Sequence, residues 1–240
     1  TVVLACIYVC LNIIVSSDSM ERTLYKASNS SLSIVRKAEQ SIFELNKFDE
    51  LKQIKEISNI VPEYEGIARL EGSNVVSGKQ TVRRDDVSGD LSNAVAVRTT
   101  GSTKRELLFS SGVFTLEKGR HISSKDKGKV LVHKKFADRN KLKLHDKVKL
   151  KFLKTDGSTP SSGETQTLEI VGIFSGKMQE QHTGLPSDLS ENTMFADYES
   201  SQKGLGYEGG NRVVNKVTVT ASSPEKLETV EKKIKKLDVD

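Results

Sequence analysis

Residues 1–15 contain no charged side chain, the first charge is Asp18, and no later stretch repeats this pattern. A helix that crosses a bilayer needs about 20 apolar residues, and this run stops at Val15. It therefore reads as the outer part of a transmembrane helix whose start precedes Thr1, with Ser16, Ser17 and Asp18 marking the exit into water. A buried core helix and an uncleaved signal peptide are the alternatives. The second fits poorly, since no Lys or Arg precedes the apolar run. The polar stretch SMERTLYKASNSS predicts a stalk that continues the same helix.

Beyond the stalk the pattern alternates between strand and helix. SLSIVRKA reads as a short strand. FELNKFDELKQIKEISNI places Phe48, Leu51, Ile54 and Ile57 at three-residue steps among Lys and Glu, which predicts an amphipathic helix ending before Pro62. EYEGIARLEGSNVVS then reads as a second strand, completing a β-α-β unit. Residues 77–105 are polar and weakly periodic, with TVRRDDVSGDLSN as a loop and AVAVRTT as a strand. KVLVH predicts a strand, followed by an amphipathic turn carrying Phe136, Ala137 and Leu142. In KLHDKVKLKF, Val148, Leu150 and Phe152 alternate with lysines, so a strand runs into the hairpin loop KTDGSTPSSGETQ and returns as TLEIVGIFSG. Residues 177–212 read as a long glycine-rich connection. NKVTVTASS is a strand, and SPEKLETVEKKIKKLDVD a helix with Ser223 as N-cap, Pro224 at its first position and a stripe of Leu227, Val230, Ile234 and Leu237. This last β-α pair is expected to complete the sheet begun by the first unit, with the strands between forming an inserted lobe.

Composition narrows the classes. A chain of 240 residues can hold one large domain or two small ones, and 35% hydrophobic residues are too many for a disordered chain. The net charge of +5 comes from 37 basic and 32 acidic residues spread along the whole length, which argues against a nucleic-acid stripe. Such a mild bias suits proximity to anionic lipid head groups or cell-wall polymers. Cys6 and Cys10 both lie in the apolar opening, too close on a helix to form a good disulfide and without the partners of a metal site.

No catalytic constellation emerges. His121, His133 and His145 are evenly spaced and His182 follows, but none sits in an HExxH-type pairing, and a strand position and a turn position do not converge. There is no GxSxG, no SxxK and no Cys–His pair. GLGYEGGNR lacks the GK[ST] ending and the strand–helix setting of a phosphate cradle. DDVSGD lacks the alternating ligands and terminal Glu of a calcium loop.

The ordered phrases SGVFTLEKGRHI, KVLVHKKFA, LKLHDKVKLKF and TLEIVGIF resemble those of the extracytoplasmic core domain of MacB/FtsX-like ABC transporter permeases. His145 stands where that family usually has glycine before the aspartate, here Asp146, a departure expected to affect turn geometry. FDELKQIKEISNIVPEYEG is similar to the family's helix running into a strand, and VTVTASSPEKLETVEKKIKKL to the β-α unit leading to its second membrane helix. The lysine-rich, cysteine-free ectodomain looks like a Gram-positive member of the Vex peptide-exporter type.

The resemblance implies an α+β fold: a porter-like α/β subdomain (29–110 and 177–240), an inserted mostly-β subdomain (111–176), and the end of a transmembrane helix with its stalk (1–28). It further implies a non-catalytic permease subunit at the cell membrane, with residues after about 18 extracytoplasmic. The expected partners are a cytoplasmic ABC ATPase subunit, a second permease copy and membrane lipid, but not nucleic acid. No catalytic residue, cofactor or metal is implied. The substrate would be a peptide, toxin, antibiotic or lipid-linked molecule. A single-span membrane-anchored binding or sensor domain is the competing class, and a surface hydrolase built on the histidines a distant third. If both chain ends lie at the membrane, they should be close together at one end of an elongated domain.

Overall fold

The structure is a computed structural model and describes residues 30–35, 42–78, 89–154, 159–207 and 211–236. The expected transmembrane run and stalk, Cys6, Cys10 and Leu237 lie outside the described residues. Among the described residues eleven strands follow one another: β1 (Ser31–Val35), β2 (Phe43–Glu44), β3 (Ile57–Glu71), β4 (Ala94–Thr100), β5 (Phe114–Gly119), β6 (Lys129–His133), β7 (Lys147–Phe152), β8 (Gln166–Gly176), β9 (Thr193–Asp197), β10 (Val213–Val214) and β11 (Lys216–Ala221). The α-helices are short: α1 (Gly89–Ser92), α2 (Leu107–Ser110), α3 (Lys134–Asn140), α4 (Tyr198–Leu205) and α5 (Leu227–Ile234). The mixed α+β class agrees with the sequence, and no helix among the described residues is long and apolar enough to cross a membrane.

The pairings close a ring. β3 pairs antiparallel with β4, β4 parallel with β9, β9 antiparallel with β6, β6 parallel with β8, β8 antiparallel with β7, and β7 antiparallel with β3. One face of this six-stranded barrel is apolar on every strand, with Ala68, Leu70, Val97, Val130, Val132, Val148, Leu150, Ile170 and Met194 all buried. Each of these side chains larger than alanine contributes about 1.5–3 kcal/mol when taken out of water. The alternation read in KVKLKF points Val148, Leu150 and Phe152 inward and leaves Lys147 and Lys149 exposed. On the other face of β5, β6, β8 and β9 lies a second cluster, where Phe109 of α2 meets the rings of Phe114, Phe174 and Phe195 at 4.9–6.0 Å between centroids.

The long strand β3 joins the barrel to an extension. Its first half pairs antiparallel with β11, which pairs antiparallel with β1, so β1 and β3 are parallel with β11 between them. Helix α5 covers one face of this extension through the buried Val230 and the partly buried Leu227 and Ile234. Ser223 precedes the 3-10 turn that leads into α5, with Pro224 at its first position, but the serine side chain makes no capping bond. The sheet continues across the expected boundaries at 110/111 and 176/177 through β7–β3 and β6–β9 pairing.

Two sequence expectations change. The helix expected over FELNKFDELKQIKEISNI is instead β2, a nine-residue 3-10 helix (Leu45–Gln53) burying Phe48 and Leu51, and the start of β3. The reason is in the spacing, since strict three-residue steps match the three-residue turn of a 3-10 helix rather than the 3.6 of an α-helix. Strand β3 also runs through Pro62, which sits one residue before pairing with β4 begins at Glu63. The expected loop over 177–212 contains β9, buried at all five positions, and α4. Asp197 caps α4 by accepting from the Ser200 N–H at 3.0 Å, and Gly206 ends it at φ 87°.

Side-chain amides lock the connections. Four of them each bond both the N–H and the C=O of one distant residue: Asn140 with Asn74, Asn192 with Val76, Gln202 with Val213 and Asn215 with Glu65, at 2.6–3.0 Å. Each amide pairs with its backbone partner as one step of a β-ladder would.

Candidate functional site

The histidines do not form a centre. His133 is buried as the N-cap of α3: its Nδ1 accepts from the Lys135 N–H at 3.1 Å, and its Nε2 lies 3.1 Å from the Gly176 carbonyl, so Nε2 carries the proton and donates. Burial lowers its pKa, which favours that neutral form. His121 lies 3.0 Å through Nδ1 from the Thr103 hydroxyl, and burial lowers its pKa as well. His145 is exposed, 2.8 Å through Nδ1 from Glu169, and takes φ 73° in the turn where the family phrase calls for glycine. No three His, Cys, Asp or Glu among the described residues are placed to hold a metal ion.

A cavity of about 680 Å³ lies on the face of the extension opposite α5. Alternation builds it: Leu32, Ile34, Val217 and Val219 turn toward the core, which leaves Ser31 and Ser33 of β1 and Thr218 and Thr220 of β11 on the cavity face. The register sets Ser31 opposite Thr220 and Ser33 opposite Thr218, two hydroxyl pairs side by side. Residues 102–110, including α2, form the opposite wall. That wall is tied to the barrel side, where Thr103 exchanges backbone and side-chain bonds with Ile122 at 3.3 and 2.9 Å.

A charged cluster closes the inner end. The register places Lys216 beside Glu63, Glu63 beside Thr100, and Glu65 beside Arg98 on one face. Arg98 donates to Glu65 at 2.9 Å, Lys216 donates to Glu65 at 3.2 Å and lies 3.4 Å from Glu63, and Thr218 donates to Glu63 at 2.7 Å. Glu106 reaches in from the opposite wall and is 4% exposed. Its Oε2 accepts from the Leu108 N–H at 2.7 Å, while its Oε1 has no hydrogen-bond partner among the described residues and pairs with Arg98 at 3.5 Å. Burial pushes the Glu106 pKa above the usual carboxylate range, against the pull of Arg98. Burial also opposes the Lys216 ammonium, but Glu63, Glu65 and Glu106 outweigh it and raise its pKa.

The sequence reading singled out none of these residues. The available signal was a charge inside an otherwise apolar strand, as in VPEYEG, AVAVRTT and NKVTVT. Chemically the arrangement can recognise charge and hydrogen-bonding groups, and it presents no nucleophile–base pair.

Comparison with known proteins places the architecture. The periplasmic region of MacB from Actinobacillus actinomycetemcomitans superposes with a TM-score of 0.51 at 13% identity, over 87% of this chain and 84% of that one. The extracellular domain of the noncanonic ABC-type transporter YknZ from Gram-positive bacteria gives 0.47 at 12% identity, over 83% and 88%. A domain of a putative permease protein from Porphyromonas gingivalis gives 0.36 at 12%, over 80% and 68%. No curated protein matches the sequence. The sequence model of the MacB-like periplasmic core domain matches residues 5–237, which takes in the barrel, the extension and the cleft alike. By that match the chain belongs to the MacB-like periplasmic core domain family, the one its strand phrases resemble.

Proposed function

We propose that the chain is the extracytoplasmic part of an ABC transporter permease. It works mechanically, coupling ATP hydrolysis on a separate cytoplasmic subunit to export or to movement outside the membrane. The observation that carries this reading is the family match over residues 5–237. On this reading residues after about 18 are extracytoplasmic, and a second permease copy and membrane lipid complete the assembly. The segments 29–110 and 177–240 act as the porter-like part and 111–176 as the insert.

The test is the gene itself together with its neighbours. Three further transmembrane helices after Asp240 and an adjacent gene for an ABC ATPase are expected, and co-purification of the two products should yield ATPase activity sensitive to loss of this domain. A soluble ending after Asp240 would sink the permease reading. The cleft favours the second reading, a membrane-anchored binding or sensor domain, which that outcome would leave standing.

A further inference from the structure

The mixing of charge signs along the chain breaks down over one segment. From Lys118 to Lys154 there are fourteen basic residues and three acidic ones, a net of +11 in a chain whose total is +5. Strand β7 gathers part of this charge into a line. Its outward positions are Lys147, Lys149 and Lys151, two residues and therefore about 7 Å apart along the strand. The register sets Arg69 and Glu71 of β3 on one side of the line, and Thr167 and Glu169 of β8 on the other. Both carboxylates are engaged: Glu71 accepts from Arg69 and Thr165, and Glu169 is held by Lys129 and His145. Lys147 and Lys149 are exposed and have no ion pair among the described residues, while Lys151 donates to the neutral Gly163 carbonyl. The flanking loops add Lys141 and Lys143 against Asp146 and Glu164, so the face keeps seven cations to four carboxylates.

Three features select a partner. Strand β7 is hydrogen-bonded to β3 on one side and β8 on the other, so a peptide cannot add to it as a strand. The uncompensated cations are all lysines, compact charges with three donors each, which suit the tetrahedral oxygens of phosphate; planar carboxylate recognition favours arginine. The outward positions of β7 and those paired with them on β3 and β8 carry no aromatic ring, so nucleic-acid bases find no stacking platform.

We propose that the β7 face docks a linear phosphodiester polymer with a polyol backbone, its phosphates lying along Lys147, Lys149 and Lys151. Lipid head groups offer the same phosphate, but on the permease reading the membrane lies toward the other end of β3. There Ser30 and the lead into α5 meet Ala221, which pairs with Ile57, whereas the lysines lie opposite Arg69 and Glu71. The strand between Ile57 and Glu71 spans up to ~45 Å, several times the ~8 Å over which exposed charges act at physiological salt. Only this choice of polymer over lipid rests on the permease reading; the lysine face does not.

The test follows the fluorescence anisotropy of labelled poly(glycerol phosphate) with the full chain in neutral detergent at about 50 mM salt. Binding is expected, weakening linearly in log K against log salt. Lys147→Gln with Lys149→Gln should reduce affinity about tenfold and the salt slope by about 1.5, the share of two phosphate contacts. Removing two exposed charges at the other end of the chain, Lys226→Gln with Lys236→Gln, should change affinity by less than about twofold. Glu71→Gln should tighten binding, a gain that misfolding does not produce. Absence of binding, or an equal loss from the Lys226 and Lys236 pair, overturns the face. Glycerol 3-phosphate competing as well as the polymer at equal phosphate overturns the linear partner, and polyglutamate or poly(dT) outcompeting it overturns the polyol phosphate chemistry. Phosphatidylglycerol micelles that displace the polymer at equal phosphate identify a lipid surface instead. None of these results depends on the neighbouring genes, so a failure here and a failure of the permease reading are told apart.

Discussion

Asn192→Ala isolates the contribution of one amide clamp. Asn192 is fully buried just before β9, where its Oδ1 accepts from the Val76 N–H at 2.7 Å and its Nδ2 donates to the carbonyls of Val76 and Pro186 at 2.9 and 2.8 Å. Alanine removes all three bonds and leaves the Val76 N–H and C=O without partners, while the Pro186 carbonyl keeps the Leu189 N–H at 3.2 Å. An orphaned buried group costs about 1–3 kcal/mol. Val76 is only half-buried, so water recovers part of its loss and the low end of that range applies to each group. The sum over the two groups is about 2 kcal/mol, a large share of the ~5–15 kcal/mol that holds a typical domain together. Urea unfolding of the full chain should show the midpoint falling by that equivalent. Amide exchange should show where: the Val76 N–H should exchange at least about tenfold faster while the Val132 N–H inside the barrel is unchanged. A loss below about 1 kcal/mol, or unaltered exchange at Val76, would refute the claim that the amide replaces a ladder step.

Three further outcomes are expected. Gly163→Ala would set a Cβ 2.2 Å from the Lys203 carbonyl and 2.4 Å from that of Gly204, both backbone atoms. It should lower stability by about 1–3 kcal/mol in thermal melts, and an unchanged melting point would contradict this close approach. His145→Gly should raise stability by about 1 kcal/mol, because glycine adopts φ > 0 without a Cβ penalty and the exposed contact to Glu169 contributes little; a lower denaturation midpoint would contradict it. Burial pushes the Tyr64 pKa up to about 12 from an ordinary 10, so the unfolded chain gives up that proton first and stability falls as pH rises from 10 through 12. Tyr64→Phe should lose less stability across that window, as followed by circular dichroism, and a parallel decline in both proteins would remove Tyr64 as a cause.

What the sequence disclosed depended on how local the signal was. Val148, Leu150 and Phe152 alternating with lysines specify the β7–β8 hairpin because the partner strand lies a short loop away. The closure of the barrel is different. It rests on the parallel pairs β4–β9 and β6–β8 and on β7 returning to β3, contacts between segments tens of residues apart that leave no periodic trace in either strand. Strand β9 is hidden for a second reason: TMFAD is buried on both faces, so it shows no alternation, and its polar ends Thr193 and Asp197 resemble loop residues. Asp197 in fact opens a helix closed by Gly206, and that cap-to-cap spacing was the readable sign of α4. The cleft was illegible because its charges come from four separate segments and meet only through the register of β11, β3 and β4.

On the permease reading, the place of the cleft between barrel and extension bears on how motion would pass through the domain. The described chain enters at Ser30, whose carbonyl accepts from the Ala221 N–H at 2.7 Å, and α5 leaves within a few residues of Ala221. Force arriving through the segments before β1 or after α5 is therefore delivered to the extension. Strand β3, 15 residues long, is shared by the extension and the barrel, and at about 3.3 Å per residue it reaches ~50 Å. The barrel has a filled core and a closed hydrogen-bonded ring, which makes it the stiffer body of the two. The wall of residues 102–110 belongs to that body through Thr103 and Phe109, while the hydroxyl face belongs to the extension.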